Sequence, residues 1–320
     1  MQGYDVIGDV HGSATKLEAL LRTLGYQPDE KVGGYSHPER KAIFVGDLID
    51  RGPEQLRVLE VAKSMADAGS AHVVMGNHEF NAVAYATEHP AGSGNYLRPR
   101  TTKNDEQHEA FLRQVTGPAY HDYIAWFRTL PLWLDLDGMR VVHACWHEAS
   151  MRLVEDALGG NRFTTDDQLA RASDPSDPLY TAVEILLKGP EISLRDHGQP
   201  AYHDKGGHPR DHARIRWWAD DATTLRELAL LDGSFTTDAG LPYPTLPHTP
   251  VAAESRSYVY SGTVPVLFGH YWRSGAPEHL IDWTAQTACV DFSAVKGGEL
   301  TAYRWSGEKE LRKENFVQQG

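Results

Sequence analysis

Short apolar runs that end in a glycine and a polar residue recur along this chain. Residues 4–7 (YDVI) precede Gly8-Asp9, residues 42–45 (AIFV) precede Gly46-Asp47, and residues 72–75 (HVVM) precede Gly76-Asn77. Residues 139–142 (MRVV) before His143 and residues 265–268 (PVLF) before Gly269-His270 repeat the arrangement later. Each reads as a buried strand followed by a tight loop. Between the first three runs the period becomes helical. Leu17, Leu20, Leu21 and Leu24 share one face, Thr15 and Glu18 have capping-box spacing, and Gly25 follows the last leucine. Pro53 stands where a first-turn proline belongs, Leu56, Leu59 and Ala62 continue an apolar stripe, and Gly69 closes it. This alternation predicts an α/β fold, a sheet with helices on its faces joined by right-handed crossovers. Ligands of such sheets gather at the carboxyl ends of strands, where the polar residues named above fall.

The pattern loosens in the second half. Residues 152–256 are rich in Pro, Asp, His and Gly, with irregular stretches at 174–178 and 242–250. They read as a large insertion within one domain spanning 1–320, capping the site and carrying a helix near residues 179–187. After His270, runs at 288–292 and 300–305 are expected to rejoin the sheet, and the polar tail from Glu308 to fray.

Charge narrows the function. With 31 Lys and Arg against 44 Asp and Glu, the formal net charge is −13. That balance disfavours stable binding to a nucleic-acid backbone. It leaves room for a small phosphorylated substrate, because a bound dication reverses the local field. No run approaches the roughly 20 apolar residues of a membrane span, and no basic segment precedes residue 4, so the expected location is cytoplasmic. Cys145 and Cys289 sit in apolar surroundings and read as buried small hydrophobes.

The chemistry lies in the loops. Gly8-Asp9-Val10-His11-Gly12 places a carboxylate and an imidazole two residues apart after a strand, able to face one cation. Gly46-Asp47-Leu48-Ile49-Asp50-Arg51-Gly52 adds two carboxylates and an arginine, and Gly76-Asn77-His78-Glu79 adds a neutral oxygen and a second imidazole. Glu79 reads as a helix cap and stays outside the chemistry. These three motifs, unbroken and in this order, resemble those of the calcineurin-like metallophosphoesterases, in the branch of the PPP-type phosphatases and bacterial diadenosine tetraphosphatases. Residues 126–132, with Leu130-Pro131-Leu132, then His143, Gly269-His270 and residues 294–302 extend the resemblance over about residues 4–305, the insertion excepted.

The resemblance implies a four-layer αββα sandwich of two mixed sheets flanked by helices. It implies two divalent transition-metal ions, Mn²⁺ first with Fe or Zn²⁺ as alternatives. Asp9, His11 and His270 would hold one, Asn77 and His143 the other, and Asp47 would bridge them. Mixed Asp, Asn and His ligands suit such ions better than Ca²⁺. Two ions sharing a water would lower its pKa and clamp the phosphoryl oxygens, so no side-chain nucleophile is needed. His78 would be the general acid, Asp50 would orient it, and Arg51 would grip phosphate oxygens.

This chain departs from the family's usual His-Gly-Gly with His143-Ala144-Cys145-Trp146, which sets Trp146 as a candidate pocket wall. Arg214 and Arg216 are candidates for a second phosphate contact. The basic and aromatic stretch 188–218, including Lys205, Gly206, Trp217 and Trp218, is either a grip on a remote part of the substrate or a packed insert. The expected reaction is phosphomonoester hydrolysis, on phosphoprotein or small esters. Hydrolysis of dinucleoside polyphosphates is the alternative, and a non-catalytic metal-binding scaffold is the reading from another class.

Overall fold

A computed structural model describes residues 2–29, 31, 33–204, 207–231 and 235–320. The chain forms two compact units, Met1–Lys188 with Thr263–Gly320, and Gly189–Gly262.

In the larger unit β1 (Gly3–Ile7) leads to α1 (Ala14–Thr23), then to the hairpin of β2 (Gln27–Asp29) and β3 (Gly34–Ser36). β4 (Arg40–Phe44), α2 (Gln55–Asp67), β5 (Ala71–Val73) and α3 (Asn77–Ala86) follow. α4 (Thr102–Gln114) and α5 (Gly117–Phe127) precede the antiparallel pair β6 (Trp133–Leu136) and β7 (Met139–Val142). Next come α6 (Glu148–Leu158), α7 (Asp166–Ser173) and α8 (Pro178–Lys188).

The smaller unit holds β8 (Glu191–Ser193), β9 (Tyr202–His203), β10 (Pro209–Arg210) and β11 (His212–Arg214), with the short helices α9 (Leu225–Leu228) and α10 (Ala253–Arg256). Its core gathers Trp217 and Trp218, both fully buried, and Tyr260 packs edge-on against Trp217. The two tryptophans of the basic and aromatic stretch are thus packing residues of this unit. Lys205 and Gly206 of the same stretch lie outside the described residues.

The chain then returns with β12 (Val266–Phe268), β13 (Thr287–Cys289), β14 (Leu300–Trp305) and β15 (Phe316–Gln319). Two mixed sheets result, in the orders β15-β14-β1-β4-β5 and β13-β12-β7-β6. Their apolar faces share one core, in which Val6, Ile43 and Tyr303 meet Met139, Val141, Leu267 and Ala288. α1 packs on β14 and β15, and α2 on β5. Leu17, Leu20 and Leu21 of α1 are fully buried, worth about 1.5–3 kcal/mol each. The fold is the α/β arrangement of two helix-flanked sheets that the resemblance implies.

Register positions the loops. Ile7 stands beside Phe44 and Phe44 beside Val73 in parallel pairing, so the three chain segments that follow leave one edge of the first sheet together. Leu267 stands beside Val141 in the second sheet, so His143 and His270 leave its edge in the same way.

Some local expectations give way to longer-range contacts. Thr15 and Glu18 form no capping box: α1 starts at Ala14, and the Thr15 N–H and hydroxyl both donate to the Glu54 carboxylate, at 2.9 and 2.6 Å. Glu18 accepts from Arg57, Arg22 and Tyr35 instead. Pro53 precedes the N-cap Glu54 rather than opening the first turn. Leu56 is 39% exposed, and the buried stripe of α2 runs through Val58, Leu59, Ala62 and Met65. The tail does not fray, because β15 pairs with β14 and Phe316 packs edge-on against Tyr303.

Candidate metal centre

The strand-end loops converge. His11 and His143 use Nδ1 on backbone carbonyls, Ile49 O and Val45 O, each at 2.8 Å. That fixes each ring with Nε2 inward, the usual way a ligating imidazole is oriented. Around the buried Asp47 carboxylate stand His143 Nε2 at 3.5 Å, His11 Nε2 at 3.6 Å and His78 Nε2 at 3.9 Å. Asn77 Oδ1 lies 3.0 Å from His143 Nε2, and the Asp9 carboxylate accepts the His270 N–H at 3.1 and 3.2 Å. Ligand atoms of His11, Asp47 and His78 form one close cluster, and those of Asp47, His143 and His270 another.

These residues fit two cations. Both clusters share Asp47, their donors are the nitrogen and oxygen types that Mn²⁺, Fe and Zn²⁺ take, and His11 Nε2 is buried with no hydrogen-bond partner among the described residues. The spaces from the Asp47 carboxylate to the three imidazole nitrogens, 3.5 to 3.9 Å, are long for hydrogen bonds and narrow enough for an ion to bridge. The Asp9 and Asp47 carboxylates respond to their surroundings in opposite senses. Burial, then the neighbouring Asp291, pushes Asp9 well above the usual carboxylate range. Burial alone would raise Asp47, yet His143 and His78 hold it well below that range.

The backbone is bent to deliver these groups. His11, Asp47, Asp50, Arg51 and His270 all adopt left-handed φ, from 43° to 74°. Each such non-glycine residue costs of order 1–3 kcal/mol, a cost sustained only where surrounding contacts enforce it. Glu79 is one of those enforcers: its buried carboxylate accepts N–H groups from Asp47 at 2.8 Å, Leu48 at 2.9 Å and Gly76 at 3.0 Å. It caps α3, as expected, and also clamps the second loop to the third. Gly76 is required here, because a Cβ would lie 2.4 Å from both Asp47 N and Asp47 Oδ1. The Leu130-Pro131-Leu132 segment ties in through Pro131 O, which accepts from Met75 N at 2.8 Å.

A second constellation adjoins the first. His78 Nδ1 lies 2.5 Å from Asp50 Oδ2, and His108 Nδ1 of α4 lies 2.7 Å from Asp50 Oδ1. Burial raises the Asp50 pKa, but the hydrogen bonds from His108 and His78 bring it down to about 2. His78 moves the other way: burial lowers it, and Asp47 with Asp50 more than compensates, leaving it raised. Arg51 is exposed, its Nη2 3.4 Å from His78 Nε2 and its guanidinium 4.3 Å from the Trp272 ring centre. Lys296 lies 4.7 Å from the same ring, which stacks on His11 at 5.5 Å.

Asp9, His11, Asp47, Asn77, His143 and His270 therefore meet, with Asp50, Arg51 and His78 beside them. Trp146 is buried, its ring under the Arg140 guanidinium at 4.8 Å. Arg214 ends β11, and Arg216 donates to Glu227 O; both belong to the smaller unit. The sequence reading missed His108, and also Gln55, whose Oε1 accepts the Asp50 N–H at 2.8 Å and whose Nε2 donates to Gly52 O at 2.8 Å. It missed Asp291 as well, which accepts from Trp272 N at 2.6 Å. A signal for His108 existed: it shares the buried face of a polar helix with Phe111.

Comparison with known proteins agrees with this geometry. The family model for calcineurin-like phosphoesterase matches residues 4–233. A bis(5'-nucleosyl)-tetraphosphatase of the asymmetrical type from Oceanobacillus iheyensis is 30% identical over 141 residues, 44% of this chain and 54% of that protein. The chain thus matches only about half the length of that relative. Symmetrical bis(5'-nucleosyl)-tetraphosphatases match almost end to end. The one from Aromatoleum aromaticum is 29% identical over 93% of this chain and 92% of its own, and the one from Methylobacillus flagellatus 26% over 95% and 92%. A solved protein serine/threonine phosphatase from Saccharomyces cerevisiae shares the fold at 13% identity, with a TM-score of 0.52 over 99% of this chain and 79% of that one. With the family match spanning most of the chain and the Asp, Asn and His donors drawn together, this protein belongs to the calcineurin-like phosphoesterases, hydrolases of phosphoester bonds with a dinuclear divalent metal centre.

Proposed function

We propose that this protein hydrolyses dinucleoside polyphosphates of the diadenosine tetraphosphate type. Water attacks one phosphorus, the bridging P–O bond breaks, and diadenosine tetraphosphate plus water gives two ADP. The observation that carries this reading is the pair of relatives matched over nine-tenths of both chains, each named a symmetrical tetraphosphatase. It displaces phosphomonoester hydrolysis, the first expectation of the motif set, whose named support is a likeness of fold alone.

Asp9, His11, Asp47, Asn77, His143 and His270 are the residues we assign to two cations, Mn²⁺ first, with Fe or Zn²⁺ as alternatives. When bound, the ions supply positive charge at the phosphoryl oxygens and a water of lowered pKa. The chain does the rest. Asp50 fixes His78 with its Nδ1–H bonded, so Nε2 is the atom that carries a proton to the leaving oxygen. The raised pKa of His78 favours that protonated form near neutrality. Arg51 offers its planar fork to phosphate oxygens, and Lys296 adds a second cation beside Trp272, which suits a polyanionic chain on an acidic protein.

The test is a substrate panel with Mn²⁺-supplemented protein, containing diadenosine tetraphosphate, mononucleotides, a phosphopeptide and 4-nitrophenyl phosphate. Diadenosine tetraphosphate should lead in kcat/KM by about tenfold or more, a margin of about 1.4 kcal/mol in transition-state binding, with ADP as the only product. Turnover of the phosphopeptide without turnover of the dinucleotide would overturn the reading.

A further inference from the structure

Asp50 is held on three sides. Gln55 takes its backbone N–H, His78 takes Oδ2, and His108 takes Oδ1. The first hold fixes the backbone, which is left-handed at this residue (φ 69°). The second is the hydrogen bond used in the chemistry. Only the third is free to decide how the carboxylate plane turns. His108 is 4% exposed and reaches Asp50 from α4, an element that carries none of the motif residues. With Nδ1 donated to Asp50, its Nε2 is buried without a hydrogen-bond partner among the described residues. The ring packs between Tyr85 and Phe111, with centroids at 5.5 and 4.9 Å. With Asn81, Arg98, Asn104 and Gln107 it lines a small polar cavity against Asp50 and His78.

We propose that His108 is a positioning residue for the proton donor: by donating Nδ1–H to Asp50 Oδ1 it sets the carboxylate so that Oδ2 fixes the ring and tautomer of His78. The inference rests on the reading of His78 as general acid. A carboxylate with one donor turns about its last side-chain bond, while one with a donor on each oxygen does not. Charge-assisted hydrogen bonds of this length are the strong ones, so the second donor also keeps Asp50 an acceptor towards His78. α4 thereby becomes part of the catalytic apparatus without touching substrate.

Two substitutions separate this role from packing. His108→Asn keeps an amide N–H near the place of Nδ1 and loses the ring. His108→Phe keeps the ring between Tyr85 and Phe111 and loses the donor. The first readout is the exchange-protected imidazole N–H signal of His78 in proton NMR of protein loaded with diamagnetic Zn²⁺, assigned by its loss in His78→Asn. The second is steady-state turnover of diadenosine tetraphosphate and 4-nitrophenyl phosphate. His108→Phe should abolish or shift the His78 signal and lower kcat about tenfold or more with KM within about twofold, as losses of orienting groups do. His108→Asn should keep the signal and most of kcat. The reverse order, with the asparagine variant impaired and the phenylalanine variant normal, overturns the proposal in favour of packing. So does an unchanged His78 signal in both. Should His108→Phe fail to fold, His108→Leu, which also lacks the donor, takes its place: a lost or shifted His78 signal with the signal kept in His108→Asn supports the donor role, and an unchanged signal refutes it. Failure of the general-acid reading looks different, since His78→Asn would then leave turnover intact whatever the His108 variants do.

Discussion

Asp47 and Asp50 sit three residues apart in one loop, both buried and both faced by histidines, yet their surroundings differ in one measurable way. Histidine nitrogens stand 3.5, 3.6 and 3.9 Å from Asp47 but 2.5 and 2.7 Å from Asp50. The first spacing is too long for hydrogen bonds and leaves a place for a cation between the partners. The second is closed by protons. Residue type and burial are alike at the two carboxylates; the gap is what differs, and it is the basis on which we assign Asp47 to a cation and Asp50 to the proton donor. His78 touches both sets: its Nε2 lies within the cluster around Asp47 while its Nδ1 is committed to Asp50.

Three experiments press on that contrast. The largest effect should come from Asp47→Asn, which removes the shared charge. Turnover should fall by about 10³-fold or more, and metal analysis should find fewer than two ions per chain. Next, Asp50→Asn and His78→Asn should each lower kcat by about 10²-fold while both ions stay bound. If His78→Asn loses metal, the residue is a ligand and the two environments are not distinct.

The smallest effect is on stability against pH after chelation. Burial lowers the His143 pKa, but the Asp47 carboxylate opposite outweighs it and lifts the value to about 10; His78 is raised for similar reasons. Both groups then hold protons when folded that they release on unfolding above about pH 6.5. Such stability is complete below the unfolded value and is lost as pH rises through the folded one. Urea midpoints of the chelated protein should therefore decline from about pH 6.5 towards 9, and the metal-loaded protein, if an ion replaces the His143 proton, should keep only the shallower part of that slope that His78 supplies. A chelated protein equally stable across that window would mean Asp47 and His143 are not coupled as described.

Much of this was legible in the sequence because it is local. The runs before Asp9, Asp47 and Asn77 are strands, and residues 139–142 and 300–305 coincide with β7 and β14. The motif loops carry their own spacing, so the residues that meet could be named in advance. What was not legible depends on which distant group arrives first. Thr15 has a capping partner three residues away, but Glu54 reaches it across the fold. His108 lies 58 residues from the carboxylate it holds, in a helix whose composition is that of a solvated surface. Glu308 opens a polar tail whose last residues find an unpaired sheet edge, and sequence periodicity does not report edges.

The left-handed turns at His11, Asp47, Asp50, Arg51 and His270 bear on how this protein can be engineered. Glycine would relax every one of those backbones, so replacing any of them with glycine releases tension that the rest of the fold now absorbs. The backbone gain at these five places is opposed by the loss of buried partners, such as Asp50 with His78 and His108 or His11 with the Ile49 carbonyl, so the loops offer no simple route to heat tolerance. Robust variants with intact chemistry should be sought far from these loops, on the solvent faces of α1 and α2, where durability and catalysis do not compete.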